Sequence, residues 1–139
     1  MNIRYFIILT LIFIISCAQQ QKQFETEKIT GVVNMKFASS AFAHNGPIPS
    51  EYTCDGNDLS PPLSISDVPS NAKSLVLISD DPDAPVGTWD HWIAFNIPAT
   101  TKEISKGAEP QGTAGKNSWG RTGYGGPCPP SGTHRYFFK

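Results

Sequence analysis

A charged, proline-containing stretch at 79–92 constrains the fold most strongly, because it lies between two short apolar runs. The runs, 75–78 and 93–97, have the length and composition of buried β-strands. The stretch between them contains four aspartates and one histidine, His91, and two prolines that fix φ. Charged residues on a stiff loop between core strands favour a binding or catalytic site, and an ordinary Asp/Pro-rich turn is the alternative.

The N-terminus has the pattern of a bacterial lipoprotein signal peptide at 1–16. A short positive head precedes an apolar run at 5–15, and Ser16 and Cys17 follow. We therefore expect export and lipidation of Cys17, which would anchor the protein to a membrane, facing the periplasm or the cell exterior. An ordinary signal peptide, with Cys17 incidental, is the alternative. Residues 17–30 are polar and predict a tether, which leaves 31–139 as one domain.

Charge and composition narrow the class of protein further. The net charge of −1 provides no basic surface for nucleic acid, so no nucleic-acid partner is expected. Twelve glycines and twelve prolines predict many turns and few long helices. If Cys17 carries lipid, Cys54 and Cys128 remain as a pair. An exported context then favours a disulfide between them, and two free, buried thiols are the alternative.

The apolar patterns predict a mainly β domain. Strands are expected at 32–38, 63–66, 73–79 and 92–97. The near-continuous apolar run at 73–79 predicts burial on both faces. The segment 98–133 has few aliphatic residues and many glycines, which is typical of a functional or disordered region. Another strand begins at Tyr136 and the sequence then ends, so we expect that C-terminal elements of the domain are missing.

Two histidines, His91 and His134, lie in separate proline-rich motifs, and the candidate site is predicted around them. Imidazoles beside a carboxylate can bind an anion, and this is the favoured chemistry. A zinc site is disfavoured because no pair of ligands has zinc-motif spacing, and His44 lies in a separate turn. Hydrolysis is disfavoured because no nucleophile motif is present. We therefore expect no enzyme activity, no metal and no cofactor. The full constellation is Asp81, Asp83, Trp89, His91, Pro129, Pro130, His134 and Tyr136.

Four blocks of sequence resemble the phosphatidylethanolamine-binding protein family, also called the Raf kinase inhibitor protein family, and its bacterial branch most closely. They occur in the order found in that family and cover about 35–139. The first block is 48–56 together with 60–63. The others are Asp81-Pro82-Asp83-Ala84-Pro85, Trp89-Asp90-His91-Trp92, and Tyr124-Gly125-Gly126-Pro127-Cys128-Pro129-Pro130 followed by Gly132-Thr133-His134-Arg135-Tyr136.

The resemblance implies a β-sandwich-like fold around a large central antiparallel sheet. Few short helices are expected, together with C-terminal elements that this chain lacks. It also implies a small pocket for phosphate-like headgroups. One departure is Ile65, which stands where the bacterial branch commonly has tryptophan.

By position, the resemblance assigns ligand binding to one set of residues and a structural role to another. Asp83 is expected to bond the backbone or Arg135, and the bond before Pro85 is one that can be cis in the family. The ligand-binding set is Asp81, His91, Pro129, Pro130, His134 and Tyr136; the structural set is Asp83, Pro85, Trp89 and Arg135.

Three functions remain as hypotheses. The favoured one is a membrane-tethered binding module of the bacterial envelope, which takes a small anion or phosphate headgroup and regulates a protein partner. The second is an inhibitor of a protease or kinase-like protein that contacts its partner through 101–126, with the pocket secondary. The third, ranked last, is a hydrolase that uses Asp81 and His91.

Overall fold

The computed structural model describes residues 35–139. The predicted signal peptide, Cys17 and the tether lie outside the described residues. Within 35–139 the chain forms seven short or medium β-strands and a single turn of 3-10 helix at Ser50–Tyr52. The strands are β1 (Lys36–Ser39), β2 (Leu63–Ser66), β3 (Ser74–Asp81), β4 (Trp89–Pro98), β5 (Glu103–Ile104), β6 (Thr113–Ala114) and β7 (Phe137–Phe138).

The strands form two antiparallel sheets, with the orders β1-β2-β5 and β6-β4-β3-β7. The β3–β4 hairpin is the most extensive pairing, and it runs from Ser74 opposite Pro98 to Asp81 opposite Trp89. Its register shifts near the turn, because Ser79 pairs with Trp92 whereas the next residue of β3 pairs with Asp90. His91 is therefore the extra residue of a β-bulge, a feature that redirects side chains beside many sites.

Apolar side chains from both sheets form one core. Leu63 and Ile104 come from the first sheet, and the remaining members come from the β3–β4 hairpin. Trp92 is fully buried, and its indole N–H donates to Glu109 Oε2 at 2.9 Å. Burial between two sheets explains why apolar residues alternate along β2, where Leu63 and Ile65 are buried and the serines are exposed. The core cluster is Leu63, Leu77, Trp92, Ala94, Ile97 and Ile104.

The mainly β fold with few short helices is confirmed, and the strand at 63–66 has the predicted bounds. Two expectations need correction. β3 and β4 extend to Asp81 and Trp89, so both ends of the charged stretch are paired strand and only 82–88 forms the connection. Burial of 73–79 on both faces is also wrong, because the side chain of Val76 is 57% exposed.

The glycine-rich segment 98–133 packs onto the two sheets. Short strands β5 and β6 pair with β2 and β4. Ser60 Oγ donates to the carbonyl of Ala108 at 3.2 Å, and the backbone N–H of Ser118 donates to the carbonyl of Asp90 at 2.9 Å. These bonds satisfy backbone groups that the short strands leave unpaired. No helix within 35–139 has the length and apolar character needed to cross a bilayer.

Candidate functional site

Asp81, the last residue of β3, holds His134 through a buried hydrogen bond. Asp81 Oδ2 accepts from the Nδ1–H of His134 at 2.7 Å, and Oδ1 accepts from the backbone N–H of Asp83 at 2.9 Å. The two side chains are only 5% and 10% exposed. Because a carboxylate can only accept, the proton lies on Nδ1 of His134. Its Nε2 makes no hydrogen bond to any group in 35–139, so it is available to a ligand.

The β-bulge at His91 turns that ring toward the same region. His91 is 4% exposed, and its Nδ1–H donates to the carbonyl of Gly125 at 2.7 Å. Two aromatic rings pack edge-on against it: Trp119 with ring centres 4.8 Å apart and Tyr136 with ring centres 5.2 Å apart. The hydrogen bond and the two rings fix the orientation of the imidazole, and its Nε2 is likewise left without a partner in the described part of the chain.

Tyr136 connects the two histidines. Its ring packs edge-on against His91 and lies nearly parallel to His134, with centres 6.5 Å apart. The Tyr136 hydroxyl is buried beside the Asp81 carboxylate and the Cys128 backbone but makes no hydrogen bond of normal geometry within 35–139, and Trp89 Nε1 is also buried without a partner there. Buried polar groups are nearly always satisfied, so the Tyr136 hydroxyl is suited to donate to a ligand that binds beside the two histidines.

Burial, followed by the negative charge of Asp81, raises the pKa of Tyr136 to about 12. A phenol with a raised pKa favours the folded state fully below its unfolded value near pH 10, and this contribution is lost as the pH rises toward 12. We expect the phenolate absorbance assigned to Tyr136 to titrate near pH 12. The measurement is the difference between the pH titrations of the wild-type protein and the Tyr136→Phe variant. A difference with its midpoint near the ordinary tyrosine value would contradict the burial of this hydroxyl.

A salt bridge ties the 82–88 connection to the segment that carries His134. Asp83 Oδ2 accepts from the backbone N–H and the Nε–H of Arg135 at 2.8 and 2.9 Å, and Oδ1 accepts from Nη2 at 2.7 Å. The Arg135 guanidinium and backbone N–H hold the pKa of Asp83 well below its usual range. Asp81 lies two residues before Asp83, and His134 lies directly before Arg135. The bidentate pair therefore holds the Asp81 and His134 side chains next to each other. The bond before Pro85 is trans, since no cis peptide bond occurs in the described residues.

The Gly-Gly-Pro-Cys loop that holds His91 is itself fixed to 52–58. The backbone N–H of Gly126 donates to Asp58 Oδ1 at 2.7 Å, and the Tyr124 hydroxyl donates to the carbonyl of Tyr52 at the same distance. Cys54 and Cys128 are joined by a disulfide with 5.4 Å between their Cα atoms. These links anchor the carbonyl of Gly125, and therefore the ring of His91.

A large open cavity of about 1080 Å³ lies between 37–48 and 127–138. Of the residues assigned to the ligand, His134, Tyr136 and Pro129 line it, whereas Pro130 does not. Both prolines are exposed, so they can form only the outer edge of the site. Asp81 and His91 do not line the cavity. The structure pairs Asp81 with His134 and not with His91, the partner that the hydrolase hypothesis assumed.

Asn117 and Trp119 belong to the site, although no sequence motif singled them out. Asn117 is 5% exposed; its Oδ1 accepts from the backbone N–H of Trp119, and its Nδ2 donates to the carbonyls of Gly123 and His91. An asparagine three residues before Gly120 is a turn signal that could have located this loop. Its contact with His91 depends on tertiary structure. Within 35–139, no group of three or more His, Cys, Asp or Glu side chains is arranged to hold a metal ion.

Comparison with known proteins identifies the family. Residues 38–139 match the model described as phosphatidylethanolamine-binding protein. The chain belongs to the phosphatidylethanolamine-binding protein family. Two solved structures with this fold are similar to it. CT736, a phosphatidylethanolamine-binding protein homolog from Chlamydia trachomatis, has a TM-score of 0.74 and 46% identity, with 76% of this chain and 72% of that chain covered. YbcL of E. coli, described as a member of the mammalian family, has a TM-score of 0.69 and 32% identity over 75% and 73%.

Similar proteins also occur in archaea and other bacteria, where they are described as UPF0098 proteins. The Methanothermobacter thermautotrophicus protein is 52% identical over 111 residues, which is 76% of this chain and 74% of the relative. The Aquifex aeolicus protein is 51% identical over 112 residues, or 76% and 66%. The Archaeoglobus fulgidus protein is 50% identical over 107 residues, or 72% and 37%. The chain therefore spans less than two thirds of the length of some of these relatives.

Proposed function

We propose that this family member is a binding module that holds a small phosphate-type anion between His91 and His134. The observation that carries the proposal is the position of Tyr136, which contacts both rings and whose buried hydroxyl makes no hydrogen bond of normal geometry within 35–139. An anion that accepts from this hydroxyl would satisfy a donor that is otherwise costly to bury, by about 1–3 kcal/mol.

The two histidines suit this ligand because their Nδ1 protons are already committed. Asp81 and the carbonyl of Gly125 fix both rings with Nε2 free. A hydrogen bond from Nε2 to a phosphate oxygen forms when the ring is protonated, and a protonated phosphate can instead donate to a neutral Nε2. Both arrangements hold the same ligand, so the site tolerates either protonation state of phosphate.

The proposal assigns binding and not catalysis to this site. Within 35–139, no serine, threonine or cysteine side chain is hydrogen-bonded to His91 or His134, which supports this assignment. We propose further that occupancy of the pocket regulates a protein partner. The lipoprotein-like N-terminus supports a location on the envelope membrane, with the domain facing the periplasm or the cell exterior.

Titration of the purified protein with inorganic phosphate and phosphoethanolamine tests the pocket. We expect saturable shifts in the side-chain NMR signals of His91 and His134, and at least a tenfold loss of affinity in His134→Ala, because the variant removes one donor and leaves Asp81 unpaired. Lys102→Ala is the control, since Lys102 is exposed and does not line the cavity. Equal affinities of the two variants, or no saturable shift in the wild type, would contradict the proposal.

A further inference from the structure

Trp119 and Arg121 form a cation–aromatic pair beside the proposed pocket, here called the rim pair. The guanidinium carbon of Arg121 lies 5.2 Å from the centre of the Trp119 ring. The same Trp119 ring lies 4.8 Å from the ring of His91. Trp119 is 44% exposed, so the pair borders solvent on one side and the buried histidine on the other. The anion site proposed above uses neither side chain.

The rim pair is held in place by its backbone. Asn117 Oδ1 accepts from the backbone N–H groups of both Trp119 and Arg121, at 3.1 and 3.3 Å, and the Asn117 N–H donates to the carbonyl of Arg121 at 2.8 Å. A Cβ atom added to Gly125 would lie 2.7 Å from Trp119 Cζ3 and 3.2 Å from Arg121 Nη2. The pair therefore lies directly against the residue whose carbonyl orients His91.

Arg121 has no carboxylate partner within 35–139, as is also true of Lys73, Lys102 and Lys116, but of these four only Arg121 stacks on an aromatic ring. Four other cations are paired with carboxylates: Lys36 with Asp67, Lys106 with Glu51, Arg135 with Asp83 and Lys139 with Asp80. The guanidinium of Arg121 makes no side-chain hydrogen bond in the described part of the chain. Stacking on Trp119 covers one face of a guanidinium and leaves its in-plane N–H donors free.

The distances bring this free cation within reach of a ligand at His91. Because both groups lie close to the Trp119 ring, the Arg121 guanidinium and the His91 ring are at most about 10 Å apart. This distance is close to the Debye length in about 0.1 M salt. A ligand with a second anionic group a few bonds from its phosphate can span a separation of this size. A planar guanidinium can then bind a carboxylate or a second phosphate through two parallel hydrogen bonds.

We infer that Arg121 forms a second anion subsite, so that the preferred ligand carries a phosphate together with another anionic group. The inference rests on the proposed function, because the first phosphate occupies the pocket between the histidines. The shared chemistry is a phosphate a few bonds from a carboxylate or another phosphate. A free phosphorylated metabolite and an anionic lipid headgroup both provide it.

O-phosphoserine and phosphoethanolamine test the subsite, because they differ only by a carboxylate. We expect the wild-type protein to bind phosphoserine about fivefold more tightly, which is the upper range for an exposed ion pair. Arg121→Gln should reduce the ratio of the two affinities to about one. Lys116→Gln is the matched control, since it removes an equal charge from an exposed residue of the same loop and should keep the wild-type ratio.

The outcomes separate this inference from the proposed function. An unchanged ratio in Arg121→Gln, or an equal loss in Lys116→Gln, would overturn the second subsite alone if phosphate still shifts His91 and His134. No saturable phosphate shift in the wild type would overturn both. Vesicles that contain phosphatidylserine or phosphatidylethanolamine distinguish the sources. A preference for phosphatidylserine that depends on Arg121 assigns a lipid headgroup, and a preference confined to soluble phosphoserine assigns a free metabolite.

Discussion

Replacement of Gly126 by alanine is expected to destabilise the domain by about 3 kcal/mol, because a side chain there would overlap backbone. A Cβ atom on Gly126 would lie 2.5 Å from the carbonyl oxygen of Tyr52 and 2.9 Å from the Cα of Thr53, and these atoms cannot move aside as a flexible side chain can. The same Cβ would lie 2.5 Å from Asp58 Oδ1, which accepts from the Gly126 N–H. The variant should therefore also lose that hydrogen bond.

Urea unfolding of the variant and of Gly87→Ala measures this effect. The control adds the same methyl group at a position with no atom within 4 Å, although its φ of 96° gives alanine a cost of about 1 kcal/mol. We expect the unfolding midpoint of Gly126→Ala to lie well below that of the control. Similar midpoints for the two variants would show that the loop at Gly126 is not packed against 52–58 in solution.

Removal of the disulfide is expected to cost about 4 kcal/mol. Cys54 and Cys128 are 74 residues apart, and cross-linking residues at that separation restricts the unfolded chain by about this amount in the chain-entropy model. In the folded state the bond joins the 52–58 turn to the loop that holds His91. Loss of the disulfide should therefore lower the free energy of unfolding strongly and the affinity for phosphate to a smaller extent.

The double variant Cys54→Ala/Cys128→Ala and the reduced wild-type protein provide two independent measurements. Both should unfold at a similar and much lower urea concentration than the oxidised protein. Peptide mass mapping after thiol labelling shows whether each cysteine is free. Reactive thiols at both positions in the non-reduced, denatured protein, together with an unchanged midpoint in the double variant, would mean that the bond does not form in solution.

The fold could be predicted well where the sequence pattern is local. The alternation of Leu63 and Ile65 with serines determined the bounds of β2 correctly. The apolar runs placed β3 and β4, but they missed the ends, because aspartates and Trp89 are unusual strand residues that pair here through the β3–β4 register. Val76 shows the opposite error. A run of apolar residues cannot indicate which of the two faces of a strand is covered by another element.

The candidate site was predicted to the extent that its residues lie in recognisable motifs. The structure brings Asp81, His91, His134 and Tyr136 together, but Asp81 could have oriented either histidine, and only the fold determines which one. Trp119 was beyond prediction for a different reason. It belongs to an irregular segment whose position depends on the buried Asn117, and no periodicity describes such a turn.

The bonds that build the site also bear on how quickly the chain reaches its native state. The β3–β4 hairpin forms between neighbouring segments, whereas the partners of the Asp81–His134 and Tyr124–Tyr52 bonds are 53 and 72 residues apart in sequence. Contacts of such high sequence separation require long loops to close before they contribute energy, and domains dominated by them fold in milliseconds to seconds. The hairpin is thus expected to form early, and the candidate site is expected to assemble later, when the 124–136 segment packs against it.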